Sequence, residues 1–268
     1  MITRREFVSA AIAAGGAICT ASEAAGATAV AQARTVEYYE LRRYQLRRGQ
    51  QQRVGDYLRL AAIPAITRAG AGPVGVFSVM IGPESPSMYV VMTHRTLDAF
   101  VSLPDRLAAD AAYRESAASF LAAPATDPAY ARIEMSLLRS FTGFPTLALP
   151  FGGENPKRPR IFELRTYESH SERAAKTKIQ MFNESEIAIF RKAGLQPVFF
   201  GETLAGPKMP NLTYLLVYED MAAHDKQWSA FSSDPDWRKL STTPGYTDPE
   251  IVSNITNVFL RPADYSQI

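Results

Sequence analysis

The sequence predicts an α+β protein built from two tandem β-α-β-β-α-β repeats that close into one pseudo-twofold α/β barrel. Three observations carry this. First, the chain says nearly the same thing twice: Tyr39-Glu40-Leu41-Arg42-Arg43-Tyr44 returns as Phe162-Glu163-Leu164-Arg165-Thr166-Tyr167, and Gly70 to Phe77 returns as Gly194 to Gly201. Asp110, Tyr113 and Arg114 are echoed by Asp234, Trp237 and Arg238, and Leu138-Arg139 by Leu260-Arg261, at an offset that stays between 122 and 125 residues. A repeat of roughly a hundred residues is domain-sized and too long for a solenoid unit. Second, the hydrophobic period alternates between two and 3.6 in the same order in both copies. Third, a sheet with helices on one face has to bury the other, and two linked copies would do so by packing sheet against sheet; two separate domains are the alternative.

The elements follow in order. The first copy, residues 36–141, opens with a strand over 36–44 in which apolar and polar side chains alternate. A helix follows, with Val54, Tyr57, Leu58, Ala61 and Ala65 on one arc and Gly70 ending it. Pro64 falls inside that pattern and is expected to kink it. Two strands, 74–81 and 88–93, flank the breaker Gly82-Pro83-Glu84-Ser85-Pro86. A second helical stretch from Leu97 to Phe120 and a last strand over 133–138 complete the unit.

Residues 142–159, with Pro145, Pro150, Gly152, Gly153, Pro156 and Pro159, read as a linker. The second copy, 160–264, repeats the scheme: a strand over 160–167, a helix with Ala175, Ile179, Phe182, Ile187 and Phe190 on one arc, and Gly194 as its stop. Strands 197–204 and 211–219 flank Gly206-Pro207-Lys208-Met209-Pro210; a helix with Met221, Trp228 and Phe231, a short piece at 237–240 and a strand over 255–260 close it. This order is the split arrangement of ferredoxin-like domains.

Residues 1–31 read as an address. Thr3-Arg4-Arg5-Glu6-Phe7-Val8 is a twin-arginine pattern, an Ala/Gly-rich apolar stretch follows, and Ala29-Val30-Ala31 is a small-x-small cleavage site. The expectation is twin-arginine export to the periplasm or beyond; an alanine-rich tail without an address is the alternative. Cys19, the sole cysteine, lies in this segment behind Ile18, which is too large for a lipoprotein box. The processed chain would therefore hold no disulfide.

A net charge of +2 and 46% hydrophobic residues over 268 positions suit an ordinary globular protein. The basic cluster Arg42, Arg43, Arg47, Arg48 and Arg53 is too narrow for a nucleic-acid face, so no nucleic-acid partner is expected. No later segment has the length and apolarity of a membrane span. Self-association stays open at this level.

The repeated opening strand is where chemistry would sit. Alternation puts Glu163, Arg165 and Tyr167 on one face, and Glu40, Arg42 and Tyr44 on the matching face of the first copy. With the apolar face turned to the helices, both rows are expected to point into the lumen. They would offer a carboxylate base, a guanidinium and a phenol, with Phe200 or Trp228 as an apolar wall. The alternative is that each Glu pairs with its Arg in a satisfied buried network. His94, His170 and His224 stand far apart with no second ligand at metal-binding spacing, so no metal site is expected and each reads as a surface or loop histidine. No glycine-rich phosphate loop or nucleophile elbow is present.

The second copy resembles the NIPSNAP family over nearly its full length. The resemblance rests on Phe162 to Tyr167, Ile187 to Gly194, Pro197-Val198-Phe199-Phe200-Gly201, Pro210 to Leu216, and Asp234 with Trp237. The first copy is similar to a diverged version without the tryptophans. The resemblance implies a dimeric α/β-barrel superfamily fold and no agreed catalytic motif. Relatives in that superfamily include cofactor-free monooxygenases, haem proteins and binding modules, so the fold does not choose among them. No cofactor is predicted; for a haem, which the superfamily allows, His224 is the first choice of axial ligand. The leading expectation is an exported protein that binds a small apolar or aromatic molecule in the lumen. The alternatives are a cofactor-independent or haem-dependent oxygenase, and a non-catalytic scaffold with a plugged barrel.

Overall fold

The computed structural model describes residues 36–83, 85–153 and 159–268. The expected export signal over 1–31 lies outside them.

The first half runs β1 (Tyr38–Gln45), α1 (Gln51–Tyr57), a π-helical turn (Leu58–Ala62), α2 (Ile63–Arg68), β2 (Val74–Ile81), β3 (Ser87–His94), α3 (Leu97–Ala109), α4 (Ala111–Leu121) and β4 (Arg132–Ser140). After a short 3-10 turn (Pro150–Gly153) the second half repeats the order. Its elements are β5 (Ile161–Glu168), α5 (Glu172–Met181), a π-helical turn (Phe182–Glu186), α6 (Ile187–Lys192), β6 (Gln196–Ala205) and β7 (Asn211–Tyr218). They are followed by α7 (Met221–Ser233), α8 (Pro235–Ser241), α9 (Asp248–Ile251) and β8 (Asn254–Pro262).

The eight strands form one closed antiparallel barrel in the order β1-β3-β2-β8-β5-β7-β6-β4. β1 and β5 stand at opposite points of the ring, and β2–β8 and β4–β6 are the seams between halves. Closure leaves no strand edge unpaired.

Local chemistry sets the helix ends alike in both copies. The Asp110 side chain accepts from the Tyr113 amide and that of Asp234 from the Asp236 amide, each opening the second of two successive helices. Gly70 and Gly194 end α2 and α6 at φ 72° and 84°, a conformation costly for any residue with a Cβ. The amides that follow, Ala71 and Leu195, close back on the Ile66 and Phe190 carbonyls. The irregularity expected from Pro64 needs a different explanation. The π turn precedes that proline, and the second half carries the same turn at Phe182–Glu186 with no proline in it. A proline is therefore not the feature that the two irregular helices share.

Two kinds of core result. Inside the barrel, Tyr39, Leu41, Phe77, Phe162, Leu164, Phe199 and Leu260 from both halves interdigitate. Outside it, each half packs its helices on its own sheet, around Val54, Leu58, Val76 and Val90 in the first and Phe182, Phe190, Phe200 and Tyr214 in the second. Ile268, together with Leu147 and Phe151 of the linker region, packs against the inner core, beside the starts of β1 and β2. The opposite mouth, at the two hairpins, stays open.

Candidate functional site

The first correction concerns the Glu-x-Arg-x-Tyr rows. β1 and β5 turn Tyr39 and Leu41, and Phe162 and Leu164, into the lumen. Glu163, Arg165 and Tyr167 therefore face the helices, as do Glu40, Arg42 and Tyr44; neither row lines the lumen as expected. The part of the lumen they would enter is packed with apolar side chains that offer a charge no partner, whereas the helix side supplies both hydrogen-bond donors and aromatic faces.

In the second half the row is a dense buried network in which the Arg165 Nε alone of the guanidinium nitrogens has no hydrogen-bond partner. Arg165 donates to Glu163 at 2.6 Å and to the Tyr167 hydroxyl at 3.2 Å, and Tyr214 donates to that hydroxyl at 3.0 Å. The other Glu163 oxygen accepts from Tyr218 at 2.9 Å and from the Trp228 indole at 3.2 Å. The guanidinium lies 4.5 Å from the centre of the Trp228 ring, a stacking contact worth most when desolvated. Phe200 packs on Tyr214 at 5.2 Å, so Glu163, Arg165, Tyr167, Phe200 and Trp228 do come together, though beneath α5–α7. Burial first, and the Glu163 carboxylate next, push the Tyr218 phenol well above its usual range, which keeps it a donor.

Two histidines assigned to the surface belong to these networks. His94 is buried, and its Nε2 meets Glu40 at 3.1 Å. Burial raises the Glu40 pKa, but His94 and Arg42 outweigh it and hold the carboxyl below its ordinary value. His224 places Nε2 3.6 Å from Glu163 and Nδ1 2.8 Å from Asp225, with its ring edge-on to Tyr218 and Phe259. Both nitrogens face carboxylates, so an axial bond from His224 to a haem iron would first have to displace one of them. The one sequence signal for these contacts was the alternation Leu212, Tyr214, Leu216, Tyr218 along β7.

A buried ion pair went unforeseen. Lys178 donates to Glu186 at 3.0 Å, and both side chains are almost wholly buried. The rings of Phe182, Trp237 and Tyr167 surround the ammonium at 5.1, 5.5 and 5.6 Å. Burial works against the Lys178 charge, but the Glu186 carboxylate more than offsets it, and the amine is held above its usual range. The corresponding helix positions of the first half are Val54 and Ala62, both buried and apolar.

The open mouth of the barrel holds a cavity of about 530 Å³. Its floor is Leu41, Leu164 and Val258, the outer end of the lumen core, with Tyr89 one level above at the height of Arg43. Above the floor, Ser136, Thr166, Thr213 and Thr256 present hydroxyls, with Thr166 and Thr213 bonded to each other at 3.0 Å. Arg43 reaches Glu134 at 2.6 Å across the first-half wall. Lys208, at the tip of the second hairpin, reaches Thr256 at 3.1 Å. Of these residues Leu41, Arg43, Leu164 and Thr166 lie in the repeated opening strands, and the sequence had put none of the cavity residues forward as ligand-binding. Among the described residues no group of three His, Cys, Asp or Glu side chains could hold a metal ion. Nor is any helix among them long and apolar enough to cross a membrane.

The structure is similar to the “Putative monooxygenase” of Fusobacterium nucleatum at TM-score 0.55 and 8% identity, covering 85% of this chain and 93% of that one. A protein so named from Lactobacillus acidophilus gives TM-score 0.51 and 10% identity, covering 85% and 94%. At such identities the likeness is one of fold. A NIPSNAP-like domain protein from Burkholderia xenovorans is 21% identical over 41% of this chain and 90% of that one, at TM-score 0.37. No curated protein matches in sequence. The NIPSNAP family model matches twice, over residues 39–129 and 162–267, once in each half of the barrel. On those two matches the chain belongs to the NIPSNAP family.

Proposed function

We propose that this protein binds a small molecule with an apolar body in the cavity at the open mouth of its barrel. The observation that carries the reading is the cavity's construction. Its volume of about 530 Å³ falls within the range of small-molecule sites. Its floor is apolar, and a few hydroxyl and charged groups converge above it. The Glu163 and Glu40 rows, whose carboxylates and guanidiniums pair with one another under the helices, act in this reading as struts between sheet and helices. We also propose, on the Arg4-Arg5 pattern, that the protein is exported by the twin-arginine route and meets its ligand outside the cytoplasm.

Calorimetric titration with 2-naphthol and 2-naphthoate tests the binding reading, with Thr166→Trp as the variant that fills the cavity. Binding by the wild-type protein and its loss in a Thr166→Trp variant that still melts cooperatively are the expected results. Absence of binding by both compounds, or binding that survives Thr166→Trp, overturns the reading.

A further inference from the structure

The mouth cavity lies where the two halves meet, and equivalent positions line its opposite walls. On the first-half wall the strand pairings place Tyr89, Arg43 and Glu134 side by side, since Arg43 is the partner of both others. On the second-half wall the same pairings place Thr213, Thr166 and Thr256 side by side. One level deeper, Leu41 and Leu164 are equivalent and unchanged. The two leucines have thus kept the symmetry of the duplication, although Ser136 and Val258 beside them differ, and the rim has lost it: an aromatic ring and an ion pair face three threonines. A mouth with two identical walls would hold an unsymmetrical molecule in two equal orientations. Unlike walls remove that degeneracy.

The two cations of the rim also differ in their partners. Arg43 is tied to Glu134 at 2.6 Å. Lys208 has a looser arrangement: its ammonium donates to the Thr256 hydroxyl, and Glu168 stands 3.8 Å away, beyond hydrogen-bond distance and itself bonded to Asn254. The hairpin holds this lysine over the cavity at some backbone cost. Lys208 has φ 61°, a conformation that side chains bearing a Cβ avoid. The buried Asn211 amide braces the turn by donating to the carbonyls of Pro207 and Lys208 at 3.1 and 2.9 Å. Strain of this kind persists where the surroundings over-determine it, and here the Asn211 amide fixes the turn with the Lys208 ammonium on Thr256.

Resting on the binding reading above, we infer that the mouth takes an unsymmetrical amphiphilic carboxylate in a single orientation. Its apolar aromatic or aliphatic body lies on Leu41, Leu164 and Val258, and its carboxylate lies at Lys208 and Thr256. Tyr89 covers the body from the first-half wall. The ligand's polar end is thereby drawn to the threonine wall and away from Glu134.

The test compares two heads on one body. The wild-type protein should bind 2-naphthoate about tenfold more tightly than 2-naphthol, the scale of one charge-assisted hydrogen bond at a half-exposed site. Lys208→Asn suits the backbone, because asparagine tolerates the left-handed region. It should erase that preference by costing 2-naphthoate about tenfold more affinity than 2-naphthol. In crystals soaked with 6-bromo-2-naphthoate, one bromine position over the leucine floor is expected. Equal affinity for the two heads, a preference that survives Lys208→Asn, or two bromine positions related by the barrel's pseudo-axis overturns the inference. These outcomes leave the binding reading intact as long as Thr166→Trp still abolishes binding of both compounds. Binding of neither compound, or binding indifferent to Thr166→Trp, overturns both.

Discussion

Tyr218 and His94 occupy the same strand end in the two halves, and each meets the buried glutamate of its own half, at 2.9 and 3.1 Å. The helix opposite makes the reciprocal exchange. His94 packs edge-on to Phe100 of α3 at 5.5 Å, and Tyr218 packs edge-on to His224 of α7 at 5.0 Å. Imidazole and benzene ring have traded places between strand and helix, while the Glu–Arg pair beneath them stays in both halves. The pair is thus the constant of the duplicated fold, and the ring that caps it is free to change.

Acid should weaken the first half through Glu40. Its folded pKa lies below the ordinary value because His94 and Arg42 outweigh burial. A depressed carboxylate contributes stability that is present above its unfolded pKa, about 4.3, and is lost as pH falls through the folded value. Glu40→Gln removes this titration. Urea midpoints measured from neutral pH down past that value should fall less steeply in the variant than in wild type. Parallel profiles would show that Glu40 carries none of the acid sensitivity.

Arg165→Ala should cost about 3–5 kcal/mol, because it leaves the Glu163 carboxylate buried without its cation. Equilibrium urea unfolding at neutral pH reads this directly. A loss below about 1 kcal/mol would be the behaviour of a solvated surface pair and would contradict the strut role.

The Lys178–Glu186 pair comes with its own control, since the first half fills the same positions with Val54 and Ala62. Glu186→Leu alone should cost about 3–5 kcal/mol by stranding the ammonium, while Lys178→Met with Glu186→Leu should recover most of it. A double-mutant cycle in urea supplies the coupling. Additive losses would mean that the two charges do not act as a pair.

Export is tested separately. Replacing Arg4 and Arg5 together by Lys should leave the protein unprocessed in the cytoplasm, judged by fractionation and intact mass. A processed, exported double variant would remove the twin-arginine proposal.

Much of the architecture is present in the sequence by itself. The duplication, the order of elements and the helix stops at Gly70 and Gly194 are local, because they depend on periodicity and on backbone preferences within a few residues. Alternation likewise shows that Glu163, Arg165 and Tyr167 share a face. It does not show which way that face points. β5 is enclosed on both sides, by the inner core and by helices, so no solvent-facing side fixes its direction. Tertiary structure decides the matter: the inner core, packed with apolar side chains from both halves, offers a charge no partner, and the charged row turns to the helices that supply one. The same holds for His94, whose carboxylate partner lies 54 residues away and is brought near only by strand pairing. The mouth cavity was the least legible of all. It exists because Ile268, Leu147 and Phe151 pack against the inner core away from the two hairpins, and because walls distant in sequence face each other across the ring. Periodicity within one strand carries no information about what stands on the far side of a barrel.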